Sequence, residues 1–145
     1  MSSKVPEILD ALQARLQTVA PVYRALEGRS LPLDPKTDMP VIALRLSSDL
    51  PSTKIITDTV TKISLTIEIV VSEAEGVSID ASLADLLFSV RAALIRIEKI
   101  PPFSDLLLHP ESVQFSEAIY GYPESGSAYA LVRQPITIQF TENYR

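Results

Sequence analysis

Residues 62–72, KISLTIEIVVS, constrain the fold more than any other stretch of the chain. Ile63, Leu65, Ile67, Ile69 and Val71 alternate with Lys62, Ser64, Thr66, Glu68, Val70 and Ser72. A period of two in β-branched residues is a strand with one buried face and one mostly polar face. A slip of one residue turns the aliphatic row to water, so the register is strongly specified. The rest of the chain reads as elements that cover or extend this strand.

Two amphipathic helices supply the cover. In residues 5–19, Val5, Ile8, Leu9, Leu12, Leu16 and Val19 share a stripe roughly 100° wide. Ser2 or Ser3 can cap this helix, Pro6 is tolerated in its first turn, and Pro21 stops it. In residues 78–97 the core stripe is Ile79, Leu83, Leu86, Leu87, Val90, Leu94 and Ile97. Asp80 and Asp85 come early and Arg96 and Lys99 late, as the helix dipole favours. Pro101 and Pro102 end it. Opposite the core stripe, Ala81, Ala84, Phe88, Ala92 and Ile95 form a second apolar sector roughly 80° wide. A helix apolar on two opposite faces is buried on both. Either another part of the chain covers Phe88, or another subunit does.

The remaining segments complete an α+β domain. Residues 21–26 and 41–46 read as strands, and the Pro-rich residues 27–40 as a linker. Residues 47–53 read as a loop. Residues 54–61 are extended by propensity but lack an apolar face, so they are a strand extension or part of a mobile arm. The arm, about 47–61, is the reading adopted. Residues 73–77 form a turn and 103–111 an irregular connection. Residues 112–122 and 128–141 form a hairpin in which Pro135 demands an edge position or a bulge. Residues 142–145 are a polar tail. The expected architecture is a single domain over residues 1–145. It holds a mostly antiparallel sheet of four to five strands, with two helices packed on one face.

Composition and motifs exclude several functions. A chain of 145 residues, 46% hydrophobic and 21% charged, is long and apolar enough for one core and is not a fully disordered chain. A net charge of −5 with no basic run argues against a nonspecific grip on DNA. No cysteine is present, so disulfides and thiolate metal sites do not arise, and a reducing compartment is expected. The N-terminus lacks the layout of a signal peptide, and no apolar run spans a bilayer. A catalytic reading of the one histidine, His109, needs a nucleophile or carboxylate held near it, and nothing local supplies one. Asp34, Asp38 and Asp58 sit in loops at no known ligand spacing, and turn chemistry explains the first two. The four glycines form no phosphate loop. No catalytic residue, cofactor or metal site is therefore expected, and the chain does not read as an enzyme. Tyr120, Tyr122 and Tyr129 gather at the hairpin, either as a contact surface or through ordinary strand propensity.

The layout resembles the tail terminator proteins of long-tailed bacteriophages, the minor tail protein U-like group. The matching stretches are ILDALQARL, PVYRAL, the Pro-rich passage into MPVIALRL, and the loop SSDLPSTK. After these come KISLTIEIVV, SIDASLADLLFSVRAALIRI and the closing ITIQFTENYR. They cover most of the chain and rest on order rather than on a diagnostic motif. Related neck and tail-completion proteins are similar. The resemblance implies a virion structural protein at the tail-neck junction, assembled in the host cytoplasm. Such proteins form a homo-oligomeric ring, usually a hexamer, on the finished tail tube. The ring stops polymerisation of the tube protein, meets the head-completion protein, and lets DNA pass without specific binding. On this reading subunit or partner contacts fall on Ala84, Phe88, Ala92 and Ile95, on Lys54 and Asp58 in the arm, and on Tyr120, Tyr122 and Tyr129. Lys62, Ser64, Thr66 and Glu68 are candidates to face the channel. The alternative is a small-molecule-binding or enzymatic α+β domain with a pocket between sheet and helices.

Overall fold

A computed structural model describes residues 2–24, 40–52, 57–72, 78–107, 111–122 and 129–144. Helix α1 (Val5–Leu16) is followed by strands β1 (Val22–Arg24), β2 (Val41–Pro51) and β3 (Asp58–Ser72). Then come helix α2 (Ile79–Leu94), a 3-10 turn at Ile97–Lys99, and a short helix α3 (Phe103–Leu106). Strands β4 (Val113–Phe115), β5 (Ile119–Gly121) and β6 (Tyr129–Asn143) complete the order. Asp34, Asp38 and His109 lie outside the described residues.

The alternating strand is the long β3, flanked by β2 and β6 in a sheet ordered β1-β2-β3-β6-β4, with β5 also on β6. Among the described residues, only β1 and β2 pair in parallel; the other ladders are antiparallel. The chain is thus α+β with a mostly antiparallel sheet. Ile63, Leu65, Ile67 and Ile69 are fully buried, as the period-two reading requires. They join Ile136, Ile138 and Phe140 of β6, Ile8, Leu12 and Leu16 of α1, and Leu83, Val90 and Leu94 of α2 in one core. The aliphatic rows of sheet and helices are buried together, which is the main source of stability in such a domain.

Among the described residues the sheet has six strands, not four or five, and Pro135 explains the extra one. It was expected at an edge or a bulge, yet β6 is an interior strand. Pro135 pairs with Thr66 of β3 and presents its carbonyl to the other side, where it accepts a hydrogen bond from Ser116 N at 3.0 Å. Proline has no N–H to offer that neighbour. The neighbour is interrupted there, so residues 112–122 become two short strands, β4 and β5, on either side of the gap.

The proposed arm is largely a paired hairpin. β2 runs on to Pro51, opposite Thr61 of β3, after a register shift between Leu46 and Ser48. Ser47 Oγ donates to Ser64 O at 2.8 Å, and Ser52 N donates to Val60 O at 3.0 Å. Residues 57–61 carry the extended propensity that allowed a strand extension, while local propensity gave residues 47–51 no strand signal. The ladder offered by the already specified β3 overrides it. Lys54 lies outside the described residues.

The helices end earlier than their apolar stripes. α2 stops at Leu94 because Arg96 adopts a left-handed conformation, with φ of 53°, before the 3-10 turn. The start of α1 is satisfied from a distance. Glu142 of β6, only 6% exposed, accepts from Lys4 N at 2.7 Å and from Ser3 Oγ at 3.3 Å. Its carboxylate therefore serves as a tertiary cap at the positive end of the helix, not as part of a polar tail. Among the described residues, no helix is long and apolar enough to cross a membrane.

Candidate assembly surface

One face of α2 is committed to the core through Leu83, Leu87, Val90 and Leu94. The opposite face is bare. Phe88 is 74% exposed and Ile95 58%, and Ala81, Ala84 and Ala92 are exposed between them. Within the described residues, then, Phe88 is not a core residue, and the first helix does not cover it. An exposed phenylalanine in a row of small residues is an apolar surface of the kind that marks contacts.

The broken edge of the sheet lies beside this face. At the N-terminal end of α2, Asp80, Ala81 and Ala84 line a recess of about 460 Å³ with Tyr120 and Tyr122. The two tyrosine rings stack with centroids 6.4 Å apart. At the other end, Ile95, Arg96 and Lys99 line a recess of about 470 Å³ with Val113 and Phe115 of β4. Between the recesses, Arg91 donates from Nε and Nη2 to Gln134 Oε1, at 2.9 and 2.7 Å. Gln134 is fully buried, and its Nε2 donates to Ser116 O and Pro135 O, each at 2.7 Å. This chain of bonds ties α2 to the gap between β4 and β5 and holds the surface in shape. Hydrogen bonds from Ser78 Oγ and Ala81 N hold the Asp80 carboxyl below its usual pKa, so it is ionised near neutral pH.

The structure divides the residues that the sequence offered as contacts. Ala84, Phe88, Ala92 and Ile95 come together, with Tyr120 and Tyr122 at one end. Tyr129 lies opposite Ser72 on the other face of the sheet. Asp58 sits at the far end of β3 and accepts from Asn143 Nδ2 at 2.9 Å. Two exposed apolar residues on the edge strands escaped sequence reasoning: Phe115, 37% exposed, beside the α2 surface, and Ile119, 62% exposed, on the helix-free face with Arg133. Their signal was present in residues 112–122, but the break opposite Pro135 puts the two on opposite faces.

The face away from the helices carries Lys62, Ser64, Thr66 and Glu68 of β3 beside Gln139, Thr137, Pro135 and Arg133 of β6. Lys62 is exposed, and Ser64 and Thr66 are half-buried. Glu68 is not a free surface carboxylate. Its side chain is 12% exposed and pairs with Arg133 at 2.9 Å. Val41, Ala43 and Val70 share this face and are buried, so its exposed polar part runs from Lys62 to Glu68. Among the described residues, no group of His, Cys, Asp and Glu is placed to hold a metal ion.

No protein-family model matches the sequence, and no curated protein matches it.

Proposed function

We propose that the chain is a structural subunit of a homo-oligomeric ring, of the kind that caps the tail tube of a long-tailed bacteriophage. The ring stops polymerisation of the tube protein and joins the tail to the head-completion proteins. The single observation that carries this reading is the outer face of α2. A phenylalanine 74% exposed, in line with Ile95 and three alanines, has no cover among the described residues. Association supplies that cover, because removing apolar surface from water is the main drive for protein–protein contact. The work of such a protein is done by surfaces, so neither catalysis nor a cofactor enters it.

The helix-free face of the sheet suits a passage for DNA. Ser64, Thr66, Thr137 and Gln139 are uncharged, and Arg133 is neutralised by Glu68, leaving Lys62 and, on β2 opposite Thr66, Arg45 as the cations of this face among the described residues. A wall of this kind makes few phosphate contacts and does not hold the duplex. The protein then belongs at the tail-neck junction of the virion, after assembly in the host cytoplasm.

Electron microscopy of the purified protein, alone and mixed with its polymerising tail tube protein, tests the reading. Rings with a central channel that settle on tube ends and stop elongation are expected. Rings that leave elongation unchanged would assign the chain to another neck position. Monomers at high concentration, with no effect on tubes, would overturn the proposal.

A further inference from the structure

The exposed row on α2 is spaced symmetrically about Phe88. Ala84 and Ala92 stand four positions to either side, and Ala81 and Ile95 seven. Charged residues follow the same symmetry with their signs reversed. Asp85 and Arg91 stand three positions to either side of Phe88, and Asp80 and Arg96 eight. None of these four joins either of the ion pairs formed among the described residues. Arg91 bonds the neutral amide of Gln134, so its charge is not compensated there. Glu98 and Lys99, next along the chain, offset each other.

The geometry points to a second copy of this chain as the occupant of the face, with the two α2 helices antiparallel and Phe88 at the twofold axis. Reversing one helix about Phe88 brings Ala84 level with Ala92 of the second copy, and Ala81 level with its Ile95. It also brings Asp85 level with Arg91, and sets Asp80 at the end where the second copy's Arg96 leaves the helix in a left-handed turn, at both ends of the contact. Phe88 facing its own copy sets the axes about 10 Å apart, the wide end for packed helices, with the alanines leaving room for the rings, and antiparallel helices set their dipoles in opposition. A parallel pair would set acid against acid and base against base. The recess beside Asp80 and Tyr122 would then meet the recess beside Arg96, which Glu98, Lys99 and Glu111 also line.

This rests on the proposed function only in taking the α2 face as a surface for self-association, and it goes further in fixing the geometry. A twofold contact closes at two copies and leaves nothing open to extend. It covers the apolar face of free subunits without starting a ring, so the pair is a form held before assembly. The ring covers this same face of α2, so the pair must open before a ring can close.

The chain has no cysteine of its own, so single cysteines report position cleanly. A disulfide needs Cα atoms within about 7 Å. Under mild oxidation Phe88→Cys should link to itself. Ala84→Cys should link to Ala92→Cys in a mixture, while neither links to itself; these two keep Phe88 in place. A charge exchange gives a second readout by light scattering. Asp80→Lys alone and Arg96→Asp alone should each dimerise about tenfold more weakly. Their mixture should recover the wild-type affinity, because both ends of the mixed pair are again complementary. Association in which Ala84→Cys links to itself, or in which Ala84→Cys and Ala92→Cys never link, overturns the antiparallel pair and leaves the ring reading standing. A strict monomer at every concentration overturns both.

Discussion

Phe88→Asp separates a contact surface from a structural one. The side chain is 74% exposed, so the folded subunit draws little from it. Phenylalanine and aspartate have similar intrinsic helix propensities, and an exposed substitution costs within about 0.5 kcal/mol. The association term is far larger. A phenylalanine presents about 200 Å², and roughly three quarters of it waits to be covered here. At ~25 cal/mol per Å² that is about 4 kcal/mol from each subunit, before the cost of enclosing a carboxylate without a partner. Affinity should fall by at least about a thousandfold. Circular dichroism should show an unchanged helix signal and a cooperative melt, while light scattering at the same concentration gives the monomer mass. A variant that melts normally and keeps the wild-type oligomer would show that this face is not the contact. An unfolded variant would show that Phe88 supports its own subunit, against its exposure.

Three further substitutions test the framework. Glu142→Ala removes the carboxylate that accepts from Lys4 N and Ser3 Oγ and should cost about 2 kcal/mol; an unchanged urea midpoint would contradict the tertiary cap. Thr61 is 1% exposed, and its hydroxyl has no partner among the described residues. Thr61→Val should therefore raise the urea midpoint, by about 1 kcal/mol, and a drop would mean the hydroxyl is bonded in solution. Glu68→Lys sets a cation against Arg133 on the neighbouring strand and should cost about 1 kcal/mol, while Lys62→Glu, at an exposed site, should stay within about 0.5 kcal/mol; equal midpoints for the two would remove the ion pair from the account.

What was legible in the sequence was whatever is written at short range. The period of two in residues 62–72 located β3, and the apolar stripes located α1 and α2 to within three residues of their ends. The outer sector on α2 was visible for the same reason, as a second stripe that a single core does not require. What escaped depends on partners distant in sequence. Residues 47–51 carry no strand pattern and pair because β3 is beside them. Gln134 reads as a surface residue. It is buried because the break at Pro135 leaves the Ser116 carbonyl to be satisfied, and because Arg91 reaches in from α2. Glu142 reads as a tail residue until β6 delivers it to the start of a helix 138 positions away. The three tyrosines looked like one cluster, but strand alternation sends Tyr120 and Tyr129 to opposite faces of the sheet.

Native mass spectrometry of the wild-type protein over a wide concentration range tests the central claim most directly. The account predicts closed assemblies of identical chains with no bound small molecule, dimers at low concentration giving way to a ring. A strict monomer throughout, above all one carrying a bound metabolite, would contradict it.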